Sequence, residues 1–327
     1  MKNRIAAALD LIRMRLYGLS SVPSMPSVVH VDPVDFCVLK CPICPTGSGT
    51  NKYKQSVMPL ELFRKVLDDM PLLAEVHLYN WGEPFLNPRI IEMIRMAKQR
   101  RIKTVIHSNL NIRKDEAFWR GIVEAGLDEL CASLDGATQA SYQVYRIGGD
   151  LELALGNIRA INEAKKALGS KTPALTWKFI VHRHNEHEIE KARAMSKMLG
   201  MDFTTSTMGV GDLNPHEEPE DLEARKAFWL PAGNQFIDKR YRKDRTLSTH
   251  CTYLWRRPAV SPSGKVYPCC LVKDESFAFG DMSEESFQSI WHNDKYRYSR
   301  SLFGARKYGG PAVPTICASC RLYKKKR

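Results

Sequence analysis

Between residues 28 and 208 the chain alternates short apolar segments with longer amphipathic ones, and this pattern restricts the possible fold more than any other feature. The short segments predict strands at residues 28–34, 75–81, 103–108, 129–135, 175–181 and 203–208. Helical patterns lie between them at residues 59–70, 88–101, 116–125, 151–168 and 186–199. Strand–helix units of about 25–35 residues are typical of a parallel sheet. Six units predict an α/β fold, a partial (β/α)6 TIM-like barrel, with its chemistry at the carboxyl ends of the strands.

Three cysteines, Cys37, Cys41 and Cys44, follow the first predicted strand with the spacing C-x3-C-x2-C. Three thiolates this close can ligate three irons of one cuboidal cluster and leave the fourth iron open. A structural zinc is the alternative, but it needs a fourth ligand, and no Cys or His is adjacent. The chain has nine cysteines and no secretory pattern, which favours metal ligands over disulfides.

With Ile43 before its last cysteine, this loop resembles the signature of the radical S-adenosylmethionine (radical SAM) superfamily. The resemblance implies a [4Fe–4S] cluster whose open iron binds the amino and carboxylate groups of S-adenosylmethionine. Reductive cleavage would give a 5′-deoxyadenosyl radical that abstracts a substrate hydrogen. The segment Trp81-Gly82-Glu83-Pro84 resembles the superfamily's Gly-Gly-Glu-Pro motif, with Trp81 in place of the first Gly. Glu83 and neighbouring backbone carbonyls would then bind the cofactor's amino group.

The resemblance extends to polar residues at the ends of later strands. It implies contacts with the cofactor ribose for Ser108, Asn109, Ser133 and Asp135. Arg146 resembles the arginine that pairs with the cofactor carboxylate, a role that suits a planar guanidinium, and a surface salt bridge is its alternative. Lys178 and Ile180 lie where the superfamily contacts adenine or substrate.

A second group of cysteines lies near the end of the chain. A predicted hairpin over residues 260–267 would bring Cys251 and Cys269 together, and Cys317 and Cys320 form a C-x2-C pair. Geometry alone allows four such thiolates to hold either zinc or an iron–sulfur cluster. The segment resembles the auxiliary-cluster domain of the SPASM/twitch subfamily, which implies one fully ligated auxiliary [4Fe–4S] cluster. Cys270 is then spare and is the candidate hydrogen donor to a substrate radical.

Four segments are predicted: an N-terminal helix (1–27), the barrel (28–210), a linker or lid (211–249) and the auxiliary-cluster domain with a basic tail (250–327). The first helix, amphipathic over residues 3–17, is expected to pack on the outside of the domain, with a peripheral membrane contact as the alternative. No apolar run reaches the roughly 18 residues that span a bilayer, and the chain lacks a signal peptide, so a cytoplasmic protein is expected. The net charge of +13 favours an anionic substrate, and no DNA- or RNA-binding motif accompanies it.

The predicted function is radical oxidation of a small-molecule or carbohydrate-like substrate, with a flavodoxin or ferredoxin as electron donor. Only 36 residues precede Cys37, too few for the peptide-recognition domain that peptide-modifying relatives often carry. Three alternatives stay open: an epimerase that uses Cys270, an enzyme that modifies ribosomally made peptides, and a non-catalytic metal-binding adaptor.

Overall fold

Nine strands form one continuous sheet in the computed structural model, which describes residues 25–49, 55–210, 222–237, 251–272, 274–304 and 308–320. The strand order is β6-β5-β4-β3-β2-β1-β7-β8-β9. The strands are β1 (Val28–Val31), β2 (Glu75–His77), β3 (Lys103–Ser108), β4 (Glu129–Ser133), β5 (Ala174–Val181), β6 (Asp202–Thr207), β7 (Ala259–Val260), β8 (Lys265–Tyr267) and β9 (Gly280–Asp281).

The first six strands run parallel in sequential order, as the alternating pattern predicts. The sheet stays open, because β6 and β9 are the edges of the described strands and do not pair with each other. The predicted partial barrel is therefore confirmed. Several strands are shorter than predicted: β1 ends at Val31 and β2 at His77, because the chain turns there to form the loops that carry the candidate site.

The helices between the barrel strands cover one face of this sheet. They are α1 (Leu60–Asp69), α2 (Ile90–Gln99), α3 (Glu116–Glu124), α4 (Gln139–Tyr145), α5 (Leu151–Ala167) and α6 (Ile189–Met198). Asp115, Thr138 and Asp150 cap α3, α4 and α5, since each side chain accepts a hydrogen bond from a backbone N–H of the first turn. The helix α4 was not predicted. It is short, and only its packing on the barrel distinguishes it from a loop.

The apolar side chains of the strands alternate with the polar ones and pack under the helices. Val76, Ile106, Leu130 and Trp177 belong to the buried core on this outer face. Gly126 and Gly200, which directly follow the helical patterns 116–125 and 186–199 in the sequence, have φ angles of +82° and +64°, the left-handed conformation that glycine adopts after a helix. The opposite, inner face of the sheet carries polar side chains and forms the interior of the half-barrel.

The C-terminal segment continues the barrel sheet, which the sequence did not predict. Strand β7 pairs in parallel with β1, matching His30 with Ala259, and β7 and β8 form the predicted antiparallel hairpin. The remaining helices are α7 (Leu222–Trp229), α8 (Tyr253–Arg256), α9 (Phe287–His292) and α10 (Asp294–Ser301). The hairpin therefore brings the second cysteine group against the open side of the barrel.

Some predictions concern parts of the chain beyond these ranges. The helix at residues 3–17 and the basic tail 324–327 lie outside the described residues, as does most of the predicted linker 211–249 apart from residues 222–237. Within the described ranges no helix is long and apolar enough to cross a membrane. The segment boundaries and the cytoplasmic location stay predictions.

Candidate active site

The three-cysteine loop follows β1 at the carboxyl end of the barrel. Cys41 is buried, and Cys37 and Cys44 are half-buried. Donors face two of the sulfurs: the Asn109 side-chain amide lies 3.3 Å from Cys37 Sγ, and Arg146 Nη1 lies 3.7 Å from Cys41 Sγ. Hydrogen-bond donors beside sulfur stabilise thiolate over thiol.

The pKa shifts of the loop cysteines indicate that their thiolates need a positively charged partner. Burial raises the pKa of Cys37 to about 12, and the carboxylate of Glu83 adds to this effect. Burial also raises the pKa of Cys41, while Arg146 opposes the rise. These thiols would keep their protons at neutral pH unless iron compensated the charge of the thiolates.

Within the described ranges, no three Cys, His, Asp or Glu side chains converge to hold a single metal ion. A cuboidal cluster has no such requirement, because each thiolate binds a different iron. All nine cysteines, every one of which lies in a described range, are free thiols rather than disulfides. The loop therefore fits a [4Fe–4S] cluster better than one zinc ion.

A buried carboxylate and a glycine join the cysteine loop to the turn after β2. Asp32 Oδ1 accepts hydrogen bonds from the backbone N–H groups of Trp81 (2.9 Å) and Gly82 (3.3 Å). A Cβ at Gly82 would lie 2.0 Å from the carbonyl oxygen of Val34, so only glycine fits this approach. Asp32 was not predicted as a site residue. An aspartate near the end of an otherwise apolar predicted strand was the signal that could have identified it.

Glu83 is buried and already engaged by the protein. Its carboxylate accepts hydrogen bonds from Ser108 Oγ (2.7 Å), the Asn109 backbone N–H (3.0 Å) and the Phe85 backbone N–H (3.2 Å). Burial raises its pKa to about 7. Pro84 starts a short 3-10 turn, Pro84–Leu86, directly after it. Glu83 thus positions the ends of β2 and β3, and its predicted contact with a cofactor amino group stays a prediction.

Two residues predicted to contact the cofactor contact each other. Arg146 Nε lies 2.7 Å from Asp135 Oδ2, and the Asp135 side chain is fully buried. Asp135 Oδ1 also accepts the backbone N–H of Ile180 at 2.7 Å. Arg146 therefore forms a buried ion pair rather than a surface one, and its Nη1 faces Cys41. Asn185, which sequence reasoning missed, donates to the carbonyl oxygens of Asp135 and Ile180.

The inner face of the half-barrel is polar and aromatic. Tyr79 stacks on His107 with ring centroids 3.8 Å apart and planes inclined by 6°, and the rings of His30 and His77 are 4.5 Å apart. Lys178 lies on the same face, where β5 pairs it with Ser133 of β4. Of this group the sequence predicted only Lys178 as a site residue, and Tyr79 and the three histidines were missed, although they occupy alternate positions along the apolar strands and strand ends.

The second cysteine group gathers beside the hairpin. Burial raises the pKa of Cys269 well above its usual range, and the neighbouring thiols of Cys270, Cys317 and Cys251 add to the rise. Burial likewise raises the pKa of Cys251 to about 11, with a contribution from Cys320. The four predicted ligands therefore lie within electrostatic reach of one another, as one fully ligated cluster requires.

Cys270 differs from these four in its surroundings. Burial raises its pKa to about 11, and the Tyr253 hydroxyl donates a hydrogen bond to its sulfur. Its thiol also acts electrostatically on Tyr79 of the barrel interior. Cys270 thus lies between the auxiliary site and the inner face of the barrel.

Comparison with known proteins agrees with this geometry. Residues 31–172 match the model of the radical SAM superfamily, and residues 251–321 match SPASM, an iron–sulfur cluster-binding domain. The chain is a radical SAM enzyme with a SPASM domain. Its cofactors are the [4Fe–4S] cluster, S-adenosylmethionine and an auxiliary cluster, and the residues that hold them are proposals developed below.

Three similar proteins span most of this radical SAM enzyme. The PqqA peptide cyclase of Gluconobacter oxydans is 25% identical over 320 residues, which cover 92% of this chain and 84% of the relative. The tungsten-containing aldehyde ferredoxin oxidoreductase cofactor-modifying protein of Pyrococcus furiosus is 23% identical, covering 88% of this chain and 85% of the relative. The structure of Streptococcus suis SuiB bound to S-adenosylmethionine has a TM-score of 0.65 at 16% identity, covering 96% of this chain and 74% of SuiB. SuiB has also been solved with its precursor peptide SuiA.

Proposed function

We propose that this radical SAM enzyme removes hydrogen from an unactivated C–H bond of a peptide. The observation that carries the proposal is the similarity to a peptide cyclase across 92% of the chain. The fold of SuiB, a protein solved with a precursor peptide, supports it. Sequence reasoning preferred a small molecule because few residues precede Cys37, and these comparisons support its peptide-modifying alternative better.

The cysteine loop would hold the cofactor cluster through Cys37, Cys41 and Cys44. When bound, the cluster and S-adenosylmethionine supply a 5′-deoxyadenosyl radical, which abstracts a hydrogen atom from the substrate. Asn109 and Arg146 would stabilise the thiolates through the sulfur contacts described above. Because burial disfavours charge, these donors also tune how readily the loop accepts an electron.

The cofactor's polar groups would lie along the strand ends. Ser133 of β4, which is half-buried and on the inner face, would contact the ribose, together with the backbone that Asp135 fixes. Arg146 Nε pairs with Asp135, and its Nη1 faces Cys41 on the cluster side of the site. Lys178 and Ile180 would contact adenine or substrate from β5.

The auxiliary site would be held by Cys251, Cys269, Cys317 and Cys320. Full ligation leaves no open iron, so this site would exchange electrons or stabilise the fold rather than bind the peptide. If the outcome is epimerisation, Cys270 would donate the hydrogen atom, because its thiol lies toward the barrel interior and outside the ligand set. An acidic one-electron carrier such as a flavodoxin or ferredoxin would supply the electron that starts each turnover.

A second candidate is the modification of a smaller, non-peptide molecule. The similarity to a cofactor-modifying protein over 88% of the chain favours it. Lys178 lies on the polar inner face and would suit an anionic substrate.

Anaerobic turnover with deuterated peptides tests the proposal. Peptides encoded beside the gene are incubated with reconstituted enzyme, S-adenosylmethionine and dithionite, and mass spectrometry follows the peptide and 5′-deoxyadenosine. We expect peptide deuterium in 5′-deoxyadenosine and two hydrogens lost from the peptide. Formation of 5′-deoxyadenosine without peptide deuterium would contradict the proposal.

Two variants control this experiment. Cys37→Ala should abolish both products and lower the iron content from roughly eight to roughly four per chain, because one four-iron cluster is lost. Cys270→Ala should keep roughly eight iron, since this thiol lies outside both predicted ligand sets. In a reaction run in deuterated water, solvent deuterium that enters the peptide with the wild-type enzyme but not with Cys270→Ala would identify epimerisation instead of oxidation.

A further inference from the structure

Three polar side chains on the inner face of β2 and the residues after it form one hydrogen-bonded chain. His77 Nε2 bonds the carboxylate of Glu75, and the Tyr79 hydroxyl lies 3.1 Å from His77 Nδ1. Successive side chains of a strand point to opposite faces, so residues 75, 77 and 79 all face the barrel interior. Carboxylate, imidazole and phenol are therefore linked in that order along the wall of the barrel.

The order of the groups defines where the protons lie. The bond to His77 lowers the pKa of Glu75, so this carboxylate is ionised and accepts from His77 Nε2. His77 Nδ1 is then left as the acceptor for the phenolic proton of Tyr79. Each group can pass a proton to the next one, from Tyr79 through His77 to Glu75.

The two ends of the chain open to different places. Glu75 lies at the start of β2, has a side chain that is 27% exposed and contacts Lys103, which also pairs with Glu129. Tyr79 lies at the other end, two residues before the Trp81–Gly82 turn that Asp32 binds. The chain thus connects the neighbourhood of the candidate active site with solvent at the opposite end of the barrel.

The titratable side chains around Tyr79, His77 and Glu75 leave the proton transfer to these three residues. The other titratable side chains that face them are His30, Lys103, His107, Cys131, Lys178, Arg256, Arg257 and Cys270. Burial lowers the pKa of His30 and of His107 to about 3, so both imidazoles are neutral. Burial beside Cys270 raises the pKa of Tyr79, which keeps its phenol protonated. Among the described residues the Tyr79 hydroxyl is hydrogen-bonded to His77 Nδ1, so Tyr79 can take up a proton as it hands its own to His77.

We propose that Tyr79, His77 and Glu75 carry the proton that the substrate loses out of the barrel to solvent. The inference rests on the proposed function, in which the substrate first gives a hydrogen atom to the 5′-deoxyadenosyl radical. The substrate radical then loses one electron to an iron–sulfur acceptor and one proton to the Tyr79 oxygen. As that proton arrives, the phenolic proton moves to His77 and the Nε2 proton moves to Glu75, which releases it to water. Tyr79 accepts the proton from the substrate, and His77 and Glu75 make this possible because they take the phenolic proton away.

The first test needs no substrate. Nitrogen-15 NMR of histidine-labelled holoenzyme with S-adenosylmethionine, assigned with His77→Gln, reports which ring nitrogen of His77 is protonated. We expect a proton on Nε2 alone, and a shift of the Nδ1 resonance in Tyr79→Phe that Tyr298→Phe, on α10, does not cause. A proton on Nδ1, or on both nitrogens, at neutral pH would overturn the relay.

The second test separates the relay from radical formation. With a deuterated peptide, Tyr79→Phe should still transfer deuterium to 5′-deoxyadenosine within about two-fold of wild type, while modified peptide falls roughly 100-fold or more. Tyr298→Phe should leave both yields unchanged. Equal losses of both yields in Tyr79→Phe, or no loss of modified peptide, would overturn the relay. Absence of deuterium transfer in the wild type would instead refute the peptide proposal and leave the NMR result to decide the relay.

Discussion

The buried ion pair between Asp135 and Arg146 supports both the fold of the barrel mouth and the cysteine loop. In Asp135→Asn the remaining oxygen can still accept the Ile180 N–H, so this backbone bond is kept. The side-chain amide of the new residue would face the guanidinium, donor against donor. The substitution therefore leaves Arg146, whose side chain is only 12% exposed, without its counter-charge.

The loss of stability follows from the geometry of the pair. Two unit charges about 4 Å apart attract by about 4 kcal/mol at an effective dielectric constant of 20. Removing one partner of a buried pair costs about 3–5 kcal/mol, because the other charge stays buried. A typical domain has about 5–15 kcal/mol of unfolding free energy in total. Asp135→Asn should therefore remove a large fraction of the stability of the protein.

Anaerobic urea unfolding of the cluster-loaded protein measures this loss. Glu152→Gln is the matched control, since Glu152 and Arg159 are 3.4 Å apart with side chains 75% and 56% exposed. An exposed pair contributes less than about 1 kcal/mol. We also expect Asp135→Asn to bind less iron, because Arg146 faces Cys41. A loss of unfolding free energy no larger than that of the control would refute the role of the pair.

Three further predictions follow from buried polar groups and close packing. Burial raises the pKa of Asp32 to about 7, so this carboxyl binds a proton in the folded protein that it would lose on unfolding, and its contribution to the unfolding free energy should fall by about 1 kcal/mol between pH 6 and 8. Urea unfolding of Asp32→Asn at both pH values should show a fall smaller by this amount than that of the wild type, in which Glu83 adds a fall of its own, and a fall equal to that of the wild type would count against this assignment. Gly82→Ala should lower iron content, measured per chain, because its Cβ would clash with the Val34 carbonyl, whereas Gly156→Ala, with open space around it, should bind iron like wild type. Asn157→Ala should destabilise the barrel by roughly 3 kcal/mol in thermal unfolding, since the buried amide makes three hydrogen bonds, and a loss below that of a typical surface variant would contradict it.

Local features of the chain could be predicted well. The order and type of the six barrel strands follow from periodicity, and the glycines that end α3 and α6 follow from the left-handed conformation that these positions need. The three-cysteine loop and the hairpin before Cys269 are also local, because ligand spacing and turn residues lie within a few positions of each other. Each of these features depends on neighbours in sequence.

Other features depend on contacts between separate elements of the fold and were missed. The ion pair between Asp135 and Arg146 joins residues only eleven positions apart but depends on the unpredicted helix α4, and the cofactor contacts predicted for both residues stay predictions. The parallel pairing of β7 with β1 joins residues more than two hundred positions apart, and no periodicity signals it. Asn185 reaches two strand ends at once, which only their adjacency in the sheet makes possible.

The sequence by itself determined that this chain forms a parallel α/β half-barrel with one cysteine loop after its first strand and a second cysteine group near its end. These properties depend on the periodicity of apolar side chains and on cysteines that lie a few residues apart in the sequence. The tertiary structure decided which polar groups share the interior: the relay along β2, the ion pair beside Cys41 and the place of Cys270 between the two cysteine groups. Such groups become neighbours only when separate strands align, because burial and hydrogen bonding act between surfaces that the linear chain keeps apart.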